Sequence, residues 1–353
     1  MDIAITAIGA ISPVGASGEQ TCASIRAGIT RFSEHVWFEG TPNDPEWDER
    51  LPLTAASVET LDPFIDGEER LMQLAIPALT EILKNAKLKR AHLKKCALLL
   101  ALPQTDTGTK SLKLGAEFVR TLCKRTGLDH FATISTSQAG HAGVFILLEQ
   151  AAKLLNDGSI DFCIVGGIES YLLEERLDFL DQNRRIRTDR NVDGFIPGEA
   201  AAMVLLERRV SAEQRGMPVS ATISSAVFEN EPQTIHSDRA STGAGLATVL
   251  SRVFTTGAAS RAEWIYCDLN GESYRAFEWG VIRSRCSTLL GDMRKLVHPA
   301  DCVGDVGAAT GALLLACAQQ AFKRGYAAAH EALLWVGSDS GLRSALIVKQ
   351  YQR

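Results

Sequence analysis

The stretch from Ser135 to Ser170, STSQAGHAGVFILLEQAAKLLNDGSIDFCIVGGIES, constrains the fold of this chain more than any other. Its pattern predicts a glycine-rich turn, then an apolar helix, then a short buried strand that ends in Gly166 and Gly167. A strand that is apolar throughout is typical of a sheet covered on both faces. The stretch therefore predicts an α/β unit with a sharp turn before its helix, and His141 lies in that turn.

Strand and helix patterns alternate along the rest of the chain, which predicts an α/β fold. Residues 36–66 are rich in Pro, Asp, Glu and Trp without a clear period, and we expect them to form a surface excursion. From about residue 209 the order of the patterns repeats. We therefore predict two duplicated halves, 1–208 and 209–353, each with a mostly parallel central sheet.

Composition limits the possible partners. The 353 residues are 46% hydrophobic, enough for a large core, and the net charge of -5 comes without a basic run, so the sequence lacks a nucleic-acid or membrane-surface footprint. Eight scattered cysteines without a C-x-x-C pair are typical of reduced thiols in a cytoplasmic protein. No apolar stretch approaches the roughly 18 residues that span a bilayer. We expect a small molecule or a protein as partner, and no cofactor.

Four ordered segments carry a resemblance. They are IAITAIGAISPVG followed by ASIRAGI, SQAGHAGVF followed by a helix and GGIE, DGFIPGEAAAMVLLE (193–207), and GDVGAATGALLLA (304–316). Together they resemble the beta-ketoacyl-ACP synthases, over essentially the whole chain. The resemblance implies a thiolase-like five-layer αβαβα fold, an active site between the two halves, and a homodimer or a heterodimer with a synthase-like chain.

The family's nucleophile is a cysteine at the start of the helix that follows the turn. Counting back from Gly158 by the family's spacing places it at His141, within an elbow at 138–143. Moving the alignment by three residues places it at Gln138 instead, a substitution similar to that of chain-length-factor subunits. Neither position holds a cysteine, so the resemblance implies a member without the acyl-enzyme step.

The family's two catalytic histidines are also replaced. Asn270 stands at the first, with Glu272 and Tyr274 in place of two threonines, and Asp305 stands at the second. The family's lysine falls at Ala300, and its gate near the C-terminus becomes Gly337–Gly341, which contains Asp339. An ionised Asp305 repels both a malonyl carboxylate and the developing enolate, and loss of one oxyanion donor alone costs roughly 10²–10³ in rate. Claisen condensation is therefore not expected.

Three functions stay open at this point. The first is a non-catalytic structural, regulatory or accessory partner. The second is an acyltransferase or thioesterase acting on acyl-ACP or acyl-CoA, in which His141 is base or nucleophile, Asp305 orients it and Asn270 donates to the oxyanion. For this role we expect the helix N-terminus to lower the pKa of His141 and keep it neutral. The third is a module that binds an acyl carrier protein or an acyl ligand.

Two further groups of side chains have alternative interpretations. His141, Asp305 and Glu272 offer mixed nitrogen and oxygen ligands for a metal, although no local ligand spacing supports a site. Four arginines form a basic cluster that either meets an acidic carrier or forms a solvated loop: Arg184, Arg185, Arg187 and Arg190.

Overall fold

The computed structural model describes residues 2–40, 51–105, 107–257 and 262–352. The strands are β1 Ile3–Ile11, β2 Ser33–Gly40, β3 Leu51–Ala55, β4 Cys96–Ala101, β5 Thr133–Ser137, β6 Phe162–Ser170, β7 Glu199–Arg208, β8 Ala221–Ile223, β9 Val227–Asn230, β10 Trp264–Cys267, β11 Lys295–Val297, β12 Glu331–Gly337 and β13 Leu342–Gln350. The helices are α1 Gly18–Ala27, α2 Gly67–Asn85, α3 Arg90–Leu93, α4 Ala116–Thr126, α5 Gly143–Asn156, α6 Glu174–Gln182, α7 Arg209–Gln214, α8 Ala244–Gly257, α9 Ser273–Arg285, α10 Ser287–Leu290, α11 Ala300–Val303 and α12 Thr310–Lys323. Two single 3₁₀ turns, Gly140–Ala142 and Gly307–Ala309, precede α5 and α12 and are called here the elbow turn and the facing turn.

The central sheet shows the same strand order twice. Its order is β11-β10-β12-β13-β8-β1-β7-β6-β4-β5, with β9 added along β13. Read outward from the middle, β1-β7-β6-β4-β5 matches β8-β13-β12-β10-β11. On this repeated order we propose the division into halves 1–208 and 209–353.

Strand directions are more mixed than the sequence predicts. β4 pairs in parallel with β5 and β6, and β10 pairs in parallel with β11 and β12. The pairs that involve β1, β7, β8, β9 or β13 are antiparallel. The alternation of strands and helices hides this because β12 and β13 form a direct hairpin, and β1 and β8 meet neighbours that are distant in the chain.

Three apolar clusters hold five layers together: one central cluster around the middle helices, which packs on both halves of the sheet, and one outer cluster on each side. Along β4, Ala97 and Leu99 face a central cluster that contains α5 and α12, whereas Leu98 and Leu100 face an outer cluster with α2 and α4. On the other half, a third cluster joins α8 and α9 to the outer face of β10, β12 and β13. Alternate residues of a strand point to opposite faces, so these apolar strands bury both sides. The predicted thiolase-like five-layer α/β fold is confirmed.

The segment predicted as a surface excursion contains regular structure. β2 and β3 pair antiparallel, and Phe38 and Leu53 pack beside Tyr171 and Phe195 in a small fourth cluster. Residues 41–50, between these strands, lie outside the described part of the chain. None of the helices in the described ranges is long and apolar enough to cross a membrane.

Candidate functional site

The elbow turn presents His141 to the centre of the molecule. β5 ends at Ser137, the elbow turn is entered through Gly140 with a φ of +58°, and α5 begins at Gly143. A β-carbon at Gly140 would lie 2.5 Å from the side-chain oxygen of Gln104, so both the φ and the close approach require glycine. His141 is only 3% exposed.

Two of the sequence motifs meet and carry Asp305 to the elbow. The Asp305 N–H donates to the Ile196 carbonyl at 2.8 Å, and the Gly198 N–H donates to the Asp305 carbonyl at 2.9 Å. A β-carbon at Gly198 would lie 2.2 Å from the carbonyl oxygen of Val303, so glycine allows this backbone approach. The segment 193–199 thus fixes the loop of the C-terminal half against the N-terminal half.

The structure brings His141, Asn270 and Asp305 together. The Nε2 atom of His141 lies 2.8 Å from Oδ1 of Asp305, which also accepts the Gly307 N–H at 2.8 Å. Oδ2 of Asp305 accepts an N–H of Asn270 at 2.7 Å. The side chain of Asp305, 3% exposed, is therefore the centre to which the other two predicted residues bind.

Asn270 has no amide proton left for an oxyanion. One N–H goes to Asp305, and the other goes to Oε2 of Glu272 at 3.0 Å. Its Oδ1 accepts the backbone N–H of Glu272 at 3.1 Å. An amide nitrogen carries two donors, so the oxyanion role considered for Asn270 has no free donor in this arrangement.

Two arginines pair with the carboxylates of this site. Sequence analysis did not assign them to it. Arg185 donates to both oxygens of Glu272 at 2.7 and 2.8 Å and to Asp339 at 2.6 Å. Arg275 donates to Asp339 and to Asp268, each at 3.0 Å. Arg185 was visible only as part of an arginine-rich loop whose Arg184, Arg187 and Arg190 are exposed.

We call this group the buried ion network. All its members except the half-buried Asn270 are buried: His141, Arg185, Asp268, Asn270, Glu272, Arg275, Asp305 and Asp339. It holds four carboxylates against two guanidinium groups and one imidazole. Burial of charge is stable only when the charges are paired and hydrogen-bonded, and these contacts provide such pairing.

The pKa of His141 is raised, contrary to the expected lowering. Burial by itself lowers the pKa of His141. The adjacent Asp305 carboxylate and its hydrogen bond raise this pKa by more, so the net direction is upward. Burial raises the pKa of Asp305, yet His141, Arg275 and the Gly307 N–H hold it well below its usual range. The helix N-terminus argument was wrong here because the carboxylate, in direct contact, outweighs the helix end.

The loop Gly337–Gly341, between β12 and β13, contacts the elbow turn through Ser338. Oγ of Ser338 donates to the Ala139 carbonyl and accepts the Ala142 N–H. Within the described part of the chain, the one hydrogen bond of the Gln138 side chain, the alternative nucleophile position, is long, 3.4 Å from its amide to the Pro103 carbonyl, and does not join the network. Geometry therefore favours His141 over Gln138 as the residue that faces the second half.

Neither a metal nor a thiol site forms at this place. Across the described ranges, no group of three or more His, Cys, Asp or Glu side chains is arranged to hold a metal ion. Glu272, a candidate ligand, is instead bound by Arg185 and Asn270. All eight cysteines are buried and unpaired elsewhere, and burial raises the pKa of the Cys302 thiol to about 11.

Comparison with known proteins supports the resemblance. A family model described as beta-ketoacyl synthase, N-terminal domain, matches residues 132–212. A search of curated proteins finds no match.

Solved ketosynthase structures share the fold over the whole chain. AntDE:AntF, a type II PKS acyl-carrier protein in complex with its ketosynthase bound to the hexaketide, has a TM-score of 0.79 at 15% identity, with 99% of each chain covered. The ishigamide ketosynthase/chain length factor has a TM-score of 0.79 at 16% identity, also with 99% of each chain covered. The ketosynthase from module 6 of the bacillaene synthase from Bacillus subtilis 168 has a TM-score of 0.75 at 14% identity, covering 100% of this chain and 73% of that one.

Proposed function

We propose that this protein does not condense acyl groups and acts as a structural or regulatory partner of another protein. It resembles the beta-ketoacyl synthases and has their fold. The observation that carries this proposal is the buried ion network at the positions where the resemblance implies a Cys-His-His triad. By the resemblance, His141 stands at the nucleophile position, and its Nε2 lies 2.8 Å from Oδ1 of Asp305.

Each step of a condensation lacks its group. No thiol lies at the elbow to take an acyl group as a thioester. Stabilisation of an enolate requires free donors aimed at the oxygen, but both amide protons of Asn270 go to carboxylates. Asp305, with its lowered pKa, is negative at neutral pH and repels an incoming malonyl carboxylate.

The network also buries the groups that a substrate would have to reach. With His141 and Asp305 each 3% exposed, an acyl thioester reaches the imidazole only if these side chains separate. Separation leaves buried charges unpaired, which costs several kcal/mol. The network is therefore better suited to joining the two halves than to turning over a substrate.

A second chain is the partner that the sheet favours. In the described ranges β5 ends the sheet and pairs with β4 alone, and its residues Thr133–Ser137 are all partly exposed. An edge strand of this kind offers unpaired backbone groups to another strand. We propose that an identical or synthase-like chain adds there, in the cytoplasm, where eight unpaired thiols persist.

The assembly is tested by mass in solution. Thr136→Lys, which puts a charge on the β5 edge, should shift native mass spectra toward the monomer, alone or mixed with a synthase-like chain. Thr255→Lys on the exposed face of α8 is the matched control and should leave assembly unchanged. Equal assembly of both variants would exclude the β5 edge.

The contact between His141 and Asp305 supports a second candidate, a thioester hydrolase or acyltransferase, because a base held by a carboxylate is the usual arrangement for proton transfer. Incubation of the protein with acyl-CoA and with acyl-ACP distinguishes this enzymatic function from the partner role. We expect neither a covalent acyl adduct in the intact mass nor release of free thiol above the uncatalysed rate. Adduct or release that His141→Ala abolishes and Gln138→Ala retains would overturn the partner role. Saturable binding without turnover would indicate the third function, a carrier or acyl-ligand module.

A further inference from the structure

A second set of reactive side chains lies away from the buried ion network. Three thiols line one cavity of about 210 Å³ between α1, α11 and α12: Cys22, Cys302 and Cys317. The same cavity is lined by Tyr266 and Tyr326, and Cys22 and Tyr326 also line a neighbouring groove of about 390 Å³. We call it the thiol cavity.

Two of these thiols lie on helices, α1 and α12, that come from different halves of the chain and pack against each other. Cys22 lies on α1 and Cys317 on α12, and contact with the Cys317 thiol, together with burial, raises the pKa of Cys22 well above its ordinary value. Cys302 lies on α11, and its thiol faces the Ile25 carbonyl at 3.9 Å. The shared cavity and the packing of α1 on α12 thus bring Cys22 and Cys317 to one place, while the Cys302 thiol turns toward backbone.

The helices that carry the pair are held in place beside it. Glu19, one turn before Cys22, is bound by Lys323 and Arg324 at the end of α12, each at 3.0 Å. Arg26, one turn after Cys22, lies over the Tyr326 ring at 4.0 Å. These contacts on either side of Cys22 hold α1 against the C-terminal end of α12.

We propose that the thiol cavity is an oxidation site at which Cys22 and Cys317 form a disulfide that links the two halves. In this step one S–S bond forms, both S–H bonds break, and two protons and two electrons pass to a two-electron oxidant, such as a diazene or a low-molecular-mass disulfide. We expect the small oxidant to reach the pair through the thiol cavity, which both residues line although Cys22 and Cys317 are each only 3% exposed. Because the raised pKa leaves little thiolate, the reaction is slow at neutral pH.

Diamide, a diazene that is reduced to a hydrazine, is the probe. Native protein is treated with diamide, unfolded without reductant, alkylated and digested. We expect two of the eight thiols to escape alkylation and one cross-linked peptide to join Cys22 and Cys317. The melting temperature should rise, and reductant should reverse both changes.

Matched variants separate this pair from other thiols. Cys22→Ser and Cys317→Ser should each abolish the cross-link, while Cys302→Ser, in the same cavity, should keep it. Cys163→Ala is the control for fully buried thiols and should keep the cross-link, since Cys163 and Cys96 lie on neighbouring strands and are 0% exposed. The wild-type peptide map stands even if a variant fails to fold. Retention of all eight thiols, or a cross-link through Cys302 or Cys163, would overturn the proposal.

Discussion

Two helices of the central layer, α5 and α12, begin in the same way and differ in what their starts hold. Each is 14 residues long and follows a single 3₁₀ turn that is entered through a glycine with positive φ, +58° at Gly140 and +39° at Gly307. At the start of α12, the backbone N–H groups of Gly307 and Ala308 donate to Asp305 and Glu169. At the start of α5, the Ala142 N–H donates to Ser338, and His141 reaches across to Asp305.

The difference shows how a helix start can change its use while its backbone stays the same. A helix N-terminus favours anions, and at α12 the protein's own carboxylates fill that place. His141 then neutralises one of them from α5. Both starts serve packing between the halves, and any change that unbalances one of them should be felt at the other.

The largest expected effect comes from removing Arg275, a buried cation of the network. Arg275→Met leaves Asp268 and Asp339 without their shared partner, and breaking a buried pair in this way costs about 3–5 kcal/mol. Urea unfolding measures the loss. Arg31→Met, which breaks an exposed pair with Glu59, is the control and should cost about 1 kcal/mol or less. Similar losses in both variants would mean that the network contributes no more than surface charge.

The next effect concerns the packing of the facing turn on the sheet. A β-carbon at Gly167 would lie 1.9 Å from the Ala308 carbonyl oxygen, so Gly167→Ala pushes the start of α12 away from β6. We expect a loss of about 1–3 kcal/mol in the free energy of unfolding, typical of overpacking. Gly280→Ala, on the exposed face of α9 with nothing near its β-carbon, should instead be neutral or raise stability by up to about 1 kcal/mol. A neutral Gly167→Ala would show that the facing turn has room to move.

The contact between the starts of α5 and α12 should make the protein less stable both at high pH and at low pH. The raised pKa of His141 means that its pairing with Asp305 stabilises fully below the unfolded value, about pH 6.5, and that this part is lost as pH rises through the folded pKa. The lowered pKa values of Asp305 and Asp339 stabilise above about pH 3.9, and that part is lost as pH falls. Melting temperatures across pH measure both slopes.

His141→Gln separates the two slopes. This variant keeps a hydrogen-bonding side chain but cannot titrate, so we expect the alkaline slope to vanish while the acid slope remains through Asp339. Asp305→Asn should remove the alkaline slope as well, because His141 loses its charged partner. An alkaline slope unchanged in His141→Gln would assign it to another group.

The sequence motifs predicted the fold and the meeting of His141, Asn270 and Asp305, because those motifs describe backbone. Glycines at 140, 198 and 307 stand where φ or a close approach excludes a β-carbon, and such positions leave a readable pattern. They fix the turns, and the turns fix where the side chains between them point.

The partners of these residues could not be predicted in the same way. Arg185 lies among exposed arginines, and Arg275 lies in an ordinary amphipathic helix, so neither pattern indicates burial. Which arginine meets which carboxylate depends on contacts between residues 64 to 154 positions apart, as between Arg275 and Asp339 or Arg185 and Asp339. The direction of the His141 pKa shift could not be predicted for the same reason. The sequence does not give the distance between His141 and Asp305, and only direct contact lets the carboxylate outweigh burial and the helix end.

The smallest expected effect tests which residue of the elbow, His141 or Gln138, couples α5 to α12. Among the described residues, the Gln138 side chain hydrogen-bonds the Pro103 carbonyl alone, at a long 3.4 Å, so Gln138→Ala should change the free energy of unfolding by no more than about 0.5 kcal/mol. It should also leave the alkaline slope of stability intact, since His141 and Asp305 still pair. If Gln138→Ala instead removed that slope, the residue that couples α5 to α12 would lie at the other alignment position, and the elbow would have to be assigned three residues earlier.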